Sequence, residues 1–389
     1  MTMGVSTGGA ELHIDLGAIA DNWRTLQKPS LSGKGLGEGQ DAGPRVEDPH
    51  LSPFPRGEGA VGAVLKADAY GLGAIPVAQA LHAAGCRHVF VAHLAEALAI
   101  RPLLPGTMLA VLNGLWPGDA PEYVRHDIRP VLGSLDEIDA WTEAARNEGR
   151  PLPALIHIDT GMNRLGLSEA DIGVLQADPS RLAGVAIDYV MTHLISAEIP
   201  DAPTNEHQRL VFAAAADRLP PARRSLANSA GLFRGPAFAQ DLGRPGAALY
   251  GINPTPGRPN PMRPVATLRA RILQVRDVAV GVTVGYNGQW TAARPSRIAV
   301  ASVGYADGFL RSLTNRAQAC FDGRPIPLVG RVSMDLTTFD VTDEPSAVPG
   351  TWLELIGPTM TVDAVAVRAN TNAYEILTSL GARYTRVYS

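Results

Sequence analysis

Short apolar runs alternate with helical periodicity through the first two thirds of the chain. The apolar runs are GAVGAVLK, HVFVAH, MLAVLNG, IRPVLGS, ALIHIDTG, VAIDYVMTHL, SLANS and GAALYG. Amphipathic segments such as AIPVAQALHAAG and LDEIDAWTEAARNEG lie between them. Continuous apolar strands that alternate with helices are typical of a parallel sheet covered on both faces. Eight such units predict an α/β fold over residues 12–262, a TIM-type (β/α)8 barrel.

The pattern changes after residue 262. Strands joined by turns are predicted for LRARILQVRDV, VTVGYNGQWTA, SRIAVASVGYADG, QACFDGRPIPLVG, TTFDVTD and TWLELIG. Long helical periodicity is scarce until AYEILTSLGARY, so residues 263–389 predict a second, mostly antiparallel β domain. The Pro-rich segment PTPGRPNPMRP predicts the linker. We also expect an N-terminal strand within residues 1–11 to pack with this second domain.

Residues 29–60 follow neither pattern. They are rich in Gly, Pro and Ser and show almost no apolar periodicity. Such a segment cannot bury enough apolar surface to offset its chain entropy. We predict a disordered surface insertion before the first barrel strand. A functional lid is the alternative, because long structureless loops are either functional or disordered.

Composition narrows the function classes. The length of 389 residues is typical of two domains, and the net charge of −4 gives no reason to expect nucleic acid. Cys86 and Cys320 lie far apart without a CxxC pattern, which predicts neither a disulfide framework nor a zinc site. There is no secretory leader pattern and no run of 18 apolar residues. We therefore expect a cytoplasmic protein without metal or membrane partner.

One residue stands out at the end of an apolar run. In AVLKADAYGLG the run stops at Lys66, which the barrel prediction places at the carboxyl end of a strand, where barrel active sites lie. An amine desolvated there loses proton affinity and becomes a nucleophile or base near neutral pH, as Schiff-base chemistry requires. Taken alone, Lys66 is more simply a surface lysine just beyond a strand.

The surrounding motifs favour the first interpretation. KADAYGLG resembles the pyridoxal-phosphate attachment motif of the alanine racemase family. Further motifs resemble that family in its own order: DTGMNRLG, MTHL, LANSAGL, GRPGAALYG, VGYNGQW, VGYADG, GRVSMD and NAYEI. Together they span nearly the whole chain apart from residues 29–60. The resemblance implies a fold-type III barrel with a C-terminal β domain, acting on alanine as a homodimer with shared active sites.

The resemblance implies a role for each matching residue. Lys66 would hold pyridoxal 5'-phosphate and then act as one base, while Tyr286 of the neighbouring subunit would be the second base on the opposite face of the substrate. Arg244 would face the pyridine nitrogen, with His193 near the ring and hydrogen-bonded to Arg244. The other implied cofactor contacts are Tyr70, Asn228, Ser229, Gly246, Ala247 and Tyr374. The implied substrate contacts are Arg164, Met334, Tyr305 and Asp335.

Two positions depart from the family pattern. Many members carry, two residues before the aspartate of DTGM, a lysine that becomes carbamylated and positions the arginine; this chain has His157. Histidine cannot form that carbamate, so we hypothesise that a bound anion such as chloride, or another acceptor, orients Arg164. Ser333 stands where many relatives have cysteine.

The expected function is an isomerase reaction, the interconversion of L- and D-alanine that supplies D-alanine for peptidoglycan. A broader amino-acid racemase of the same fold is one alternative. A barrel that binds the cofactor without turnover is another, although it does not account for VGYNGQW, VGYADG and GRVSMD. Decarboxylases of this fold type generally pair the pyridine nitrogen with a carboxylate, whereas Arg244 occupies that position here.

Overall fold

The computed structural model describes residues 9–27 and 59–389. The insertion predicted at residues 29–60 lies outside the described residues up to residue 58, as do residues 1–8 of the predicted N-terminal strand. Ala60, at the end of the predicted insertion, already belongs to a strand.

Parallel strands form a closed ring. They are Ala60–Val61, Ala63–Val64, His88–Val91, Met108–Val111, Ile128–Leu132, Leu152–His157, Val185–Met191, Arg223–Ser225 and Leu242–Gly243. The first two segments are one strand interrupted at Gly62. This strand pairs with His88–Val91 on one side and with Leu242–Gly243 on the other. The Arg244 N–H donates to the Ala227 carbonyl and joins the last strand to its predecessor. The predicted (β/α)8 barrel is thereby confirmed.

Two of the eight predicted strands depart from the structure. SLANS overlaps the strand Arg223–Ser225 only at Ser225. Ala247–Tyr250, within GAALYG, is a 3-10 helix, and the eighth strand is Leu242–Gly243 just before it. The chain turns at Gly246, whose carbonyl accepts from the Leu249 N–H at 2.9 Å. A short buried apolar run has no periodicity that separates a strand from a helical turn, so the pattern alone could not distinguish them.

Helices cover the outside of the ring. They are Ala74–Ala84, Leu94–Ile100, Ala120–Arg125, Leu135–Glu148, Glu169–Ala177, Pro203–Ala216 and Pro236–Ala239, with Leu16–Gln27 packed against the first of them. Leu135–Glu148 illustrates the local causes. Ser134 caps its first turn by accepting from the Glu137 N–H, and Gly149 ends it at φ +68°. Its buried residues Ile138, Trp141 and Ala145 share the inner face.

The second region is a mostly antiparallel sheet, as predicted. Its strands are Ala266–Val278, Thr283–Val284, Trp290–Thr291, Ser296–Ala301, Gln318–Phe321, Arg324–Pro327, Thr337–Asp340, Trp352–Ile356 and Thr385–Tyr388. Ala10–Ile14 joins this sheet, antiparallel to Ala266–Val278 and parallel to Thr385–Tyr388. Ala373–Thr378 is helical, as its pattern predicts. No helix of the described ranges has the length and apolarity needed to cross a bilayer.

One helix of this region was not predicted. Val362–Ala369 begins after Thr361, whose hydroxyl accepts from the Ala364 N–H, and buries Val362, Val365, Ala366 and Ala369. That spacing is the signature of an amphipathic helix, and it is visible in the sequence.

Candidate active site

The segment that carries Lys66 has an unusual backbone. Lys66 begins the turn Lys66–Gly71 directly after the first barrel strand, and the next four residues, Ala67 to Tyr70, all have φ between 53° and 56°. L-residues in this left-handed conformation cost about 1–2 kcal/mol each. The turn is held by the Ala69 N–H to the Leu65 carbonyl at 2.9 Å and by the Ala74 N–H to Asp68 Oδ1 at 2.7 Å. The strain therefore persists because surrounding contacts determine the backbone.

The Lys66 amine lies in an electropositive, partly buried position. Burial lowers the pKa of Lys66, the positive charge of Arg164 lowers it further, and the carboxylate of Glu96 opposes both. A lowered pKa increases the fraction of neutral amine near pH 7, which a nucleophile or base requires.

All nine residues predicted to contact the cofactor line one cavity at the carboxyl ends of the barrel strands. The cavity has a volume of about 380 Å³. The nine residues are Lys66, Tyr70, His193, Asn228, Ser229, Arg244, Gly246, Ala247 and Tyr374. Leu112, Met162, Glu198 and Thr378 also line it, and the sequence had not indicated them. The nine residues that the motifs singled out thus lie together at one place in the fold.

Arg244 is buried, and within the described residues it has no acidic partner. Its guanidinium donates to Ser225 Oγ and to the Thr192 carbonyl, and burial lowers its pKa to about 10. The predicted hydrogen bond to His193 is not among the bonds of Arg244 within the described residues; the Ser225 hydroxyl and the Thr192 carbonyl accept from it instead. Arg244 remains a fixed cation at neutral pH.

Two histidines near Arg244 are neutral at neutral pH. The pKa of His193 is lowered to about 3 and that of His157 to about 4, in both cases by burial first and by the charge of Arg244 second. Charging either ring would place another cation beside Arg244 and Arg164. Both rings are therefore neutral groups near the fixed positive charge of Arg244. Of the two, His193 lines the cavity.

Ser229 and Gly246 lie next to each other in the cavity wall. Ser229 Oγ accepts from the Gly246 N–H at 3.0 Å and from the Ala248 N–H at 3.2 Å, which leaves its own hydrogen free to donate. The Gly246 N–H is thus already engaged by the Ser229 hydroxyl. Gly246 contributes space instead: a Cβ there would lie 2.2 Å from the Tyr70 hydroxyl.

Tyr70, which lines the same cavity, packs against two other aromatic rings. Its ring centroid lies 4.7 Å from that of Tyr250 and 6.1 Å from that of Tyr374. Tyr250 is anchored by a hydrogen bond from its hydroxyl to the Val64 carbonyl at 2.9 Å. Burial raises the pKa of Tyr70, so its phenol stays protonated and can donate. Asn228 Oδ1 accepts from the Gly231 N–H at 2.9 Å and fixes the neighbouring turn.

Arg164 stands in a loop shaped by one carboxylate. Asp159 accepts from the N–H groups of Gly161, Met162 and Asn163 at 2.9–3.0 Å. The side chain of Arg164 is exposed and has no hydrogen bond or ion pair within the described part of the chain. A guanidinium that is free and lies near enough to lower the pKa of Lys66 is suited to a planar carboxylate.

The remaining predicted residues lie elsewhere. Tyr286, Tyr305, Met334 and Asp335 line a second cavity of about 460 Å³ in the β region, which shares no lining residue with the first. Tyr286 is 64% exposed, and the Tyr305 N–H is bonded to the Ser333 carbonyl at 3.0 Å. Asp335 pairs with Arg383. A single chain therefore does not bring Tyr286 into the Lys66 cavity.

The sequence motifs did not single out Glu96 and Asp159, which hold the loops of Lys66 and Arg164. Glu96 stands three residues after the helix cap His93, the spacing of a capping box. Histidine at the cap position hid this signal, since Ser, Thr, Asp or Asn is expected there. Asp159 lies in a motif that was recognised but was given no role of its own.

Comparison with known proteins gives a consistent result. Residues 54–254 match the family model of the alanine racemase N-terminal domain, and residues 265–388 match that of the C-terminal domain. An alanine racemase of Acidiphilium cryptum is 53% identical over 97% of this chain and 98% of its own length. A catabolic alanine racemase of Mesorhizobium japonicum is 44% identical over 98% and 94% of the two lengths.

Solved structures agree. The alanine racemase of Bartonella henselae, crystallised with covalently bound pyridoxal phosphate, superposes with a TM-score of 0.87 at 37% identity, covering 98% of this chain and 99% of the other. A biosynthetic alanine racemase of Pseudomonas aeruginosa gives 0.84 at 32% identity, covering 98% and 100%.

Proposed function

The chain belongs to the alanine racemase family, and on that premise we propose that it interconverts L- and D-alanine with pyridoxal 5'-phosphate held by Lys66. The observation that carries the proposal is the convergence of the nine predicted cofactor residues, Lys66 among them, on one cavity.

The residues of this cavity fit the proposed cofactor. A partly neutral amine at one position suits an aldehyde, and the hydroxyls of Ser229, Tyr70 and Tyr374 suit a phosphate. Arg244 cannot pass its proton to a ring nitrogen, because guanidinium does not release one at neutral pH. When bound, the cofactor would delocalise the negative charge left on the substrate α-carbon after proton removal.

The protein then has to move a proton on each face of the substrate. The Lys66 amine would exchange it on one face, and the Tyr286 hydroxyl of a second copy of the chain on the other. Arg164 would hold the substrate carboxylate by charge-assisted hydrogen bonds, with the Met334 backbone, Tyr305 and Asp335 of the second copy at the entrance. General acid–base groups of this kind contribute roughly 10²–10⁴-fold to a rate.

A homodimer with shared sites accounts for the separation of the two cavities. Tyr286 is 64%, Met334 54% and Tyr305 43% exposed. Exposure of large side chains of this kind to water is unfavourable unless a partner covers them. Docking this surface over the Lys66 cavity of a second copy would complete two sites per dimer.

We retain the proposal of a bound anion near Arg164 and His157. The pKa of His157 is about 4, so this residue supplies no charge at neutral pH, and Arg164 has no acceptor among the described residues. An anion such as chloride would orient the guanidinium in place of the family's carbamylated lysine.

The cellular role is part of the same proposal. Cys86 and Cys320 are buried and unpaired, which agrees with work in a reducing cytoplasm. We propose that the product D-alanine serves peptidoglycan synthesis, although two of the relatives are named catabolic. A broader amino-acid racemase remains the second candidate, because a one-methylene difference in side chain changes discrimination only modestly.

The decisive experiment combines two inactive variants. Lys66→Ala and Tyr286→Phe are each expected to lose at least about 10²-fold in D-alanine formation. If sites are shared, a mixed dimer has one site with both residues and one with neither. Random mixing of the two variants should then recover about a quarter of wild-type activity, since half of the dimers are mixed and each has one intact site.

The measurement is chiral chromatography of L-alanine incubated with each variant and with the refolded mixture, beside serine and arginine as substrates. Mixed dimers that are demonstrated by mass but remain inactive would exclude the shared site. Wild-type protein that racemises arginine as fast as alanine would favour the broader racemase. A wild-type protein that binds the cofactor yet turns over none of the three would leave only the binding role.

A further inference from the structure

Side chains tie the barrel loops together in pairs. Between the first and second units the link is Glu96, and between the third and fourth it is Glu137. Between the fifth and sixth units Gln208 binds Thr160 Oγ1 and the Ile195 N–H. Between the seventh and eighth it is Ser229, through its bonds to Gly246 and Ala248. Only the first of these links reaches the turn that carries Lys66.

Glu96 spans two loops with its two carboxylate oxygens. Oε1 accepts from the Ala67 N–H at 2.6 Å, and Oε2 accepts from the N–H groups of Ala92 at 2.8 Å and His93 at 3.0 Å. Ala67 is the residue directly after Lys66 and the first of the four in left-handed conformation. The carboxylate therefore fixes the start of that strained turn against the second βα loop.

Glu137 provides the same device away from the cavity. Its Oε2 accepts from the Gly133 N–H of its own loop at 2.6 Å, and its Oε1 accepts from the Leu115 N–H of the preceding loop at 3.1 Å. Neither Gly133 nor Leu115 lines the Lys66 cavity. The two glutamates thus match in geometry and helix position and differ in what they hold.

We propose that Glu96 is a positioning residue for Lys66, which holds the left-handed turn in place and sets the electrostatic environment of the amine. The inference rests on the proposed function, because it gives Lys66 a task for which its position matters. Positioning of a reacting group within about 1 Å can change a rate by as much as 10²-fold.

The charges around the amine define what Glu96 adds. Arg164 lowers the pKa of Lys66 and Glu96 raises it, while Lys66 in turn lowers the pKa of His193. The other titratable groups that line the cavity are Tyr70, Glu198, Arg244 and Tyr374. Glu96 is the acidic group that acts on the amine, so a neutral replacement should favour the deprotonated amine.

The test compares Glu96→Gln with Glu137→Gln. A glutamine has one acceptor oxygen, so each variant loses one of its two loop contacts, and we expect similar losses in thermal midpoint. Glu96→Gln should lower kcat by about 10- to 100-fold with little change in KM. Glu137→Gln should leave both within about 3-fold of wild type, because neither Leu115 nor Gly133 lines the cavity.

A second readout does not depend on turnover. The full chain without cofactor is treated with an amine-acylating reagent across a pH range, and modification of Lys66 is followed by mass spectrometry. The midpoint should move to lower pH in Glu96→Gln and stay unchanged in Glu137→Gln. A midpoint in Glu96→Gln equal to or above that of wild type, or equal changes of kcat in both variants, would overturn the inference.

Glu96→Asp covers the case in which Glu96→Gln does not fold. It keeps the charge and loses reach, so kcat should fall while the acylation midpoint stays near that of wild type; an unchanged kcat would contradict a positioning role. Because acylation needs no racemisation, failure of the proposed alanine reaction in wild type would remain distinguishable from failure of this inference.

Discussion

The two cavities differ in how much a single chain fixes by itself. The barrel cavity has a buried cation at Arg244, a histidine, His193, with a strongly lowered pKa and a lysine on a strained turn. The β-region cavity has an exposed tyrosine, an exposed methionine and a surface ion pair between Asp335 and Arg383. Strain and buried charge are concentrated in the first cavity.

This difference separates two kinds of contribution. Groups that must keep an altered pKa are held inside the barrel, where burial and fixed charges can maintain it. The groups that we propose to complete the site lie on the surface, where only contact with a second copy would exclude water from them. Substitutions in the barrel cavity should therefore change binding, titration and stability even in one chain.

The largest effect is expected from Arg164→Ala. The substitution removes the free guanidinium beside Lys66, and charge-assisted hydrogen bonds are worth roughly 1.5–3 kcal/mol. The KM for alanine should rise by about 10- to 100-fold, while the thermal midpoint stays constant because Arg164 is exposed and unpaired among the described residues. Steady-state kinetics measure both constants.

Arg164→Lys sharpens this result. It keeps the charge but loses the planar fork, so its KM should lie between those of wild type and Arg164→Ala. A KM in Arg164→Ala that equals the wild-type value would show that the carboxylate is bound elsewhere, and the contrast between the two cavities would weaken.

The next effect concerns the response of stability to pH. The pKa of His157 is about 4 in the folded protein, against about 6.5 when unfolded. Between these values the unfolded chain binds a proton that the folded chain does not, so stability falls as pH falls. This histidine should contribute about 1.4 kcal/mol of lost stability per pH unit in that window.

His157→Asn should flatten the decline of the thermal midpoint between pH 6.5 and 4, as measured by calorimetry at fixed protein concentration. His207→Asn is the control, because His207 is exposed on the helix Pro203–Ala216. Equal flattening in both variants would mean that the buried position of His157 is not the cause.

The smallest effect tests the strained turn. Ala67→Gly removes the backbone strain of a left-handed alanine at φ 54°, which is about 1–2 kcal/mol. It also stabilises the unfolded state by about 0.5–1 kcal/mol, because glycine adds chain entropy there. We expect the free energy of unfolding to rise by roughly 0.5–1 kcal/mol. Ala80→Gly, in the right-handed helix Ala74–Ala84, should instead lose about 0.5–1 kcal/mol. Urea unfolding compares the two, and a loss in both would show that the turn carries no strain.

The sequence predicted the fold where periodicity was long. Six of the barrel strands and the antiparallel region follow from alternation and apolar runs, while SLANS meets the seventh strand, Arg223–Ser225, only at Ser225. The eighth strand did not, because Leu242–Gly243 is only two residues long and GAALYG is an equally apolar neighbour. Val362–Ala369 had the required spacing, but it lies among strands whose turn signals dominate the local pattern.

The site was predictable as a set of residues and not as a geometry. The residues that the motifs singled out, Lys66, Arg244 and Ser229 among them, lie in one cavity. Nothing in the amino-acid sequence indicates that the Gly246 N–H donates to Ser229, or that Arg244 donates to the Thr192 carbonyl rather than to His193. Such bonds depend on tertiary distances between loops, as do the links made by Glu96 and Gln208.

The strand Ala10–Ile14 has a consequence for biosynthesis. Its partners on either side are Ala266–Val278 and Thr385–Tyr388, so it leaves the ribosome hundreds of residues before either of them. Until then both of its edges lack a neighbour, and unpaired strand edges invite aggregation. Completion of this sheet is thus a late, long-range step of high contact order, during which a nascent chain would profit from a chaperone.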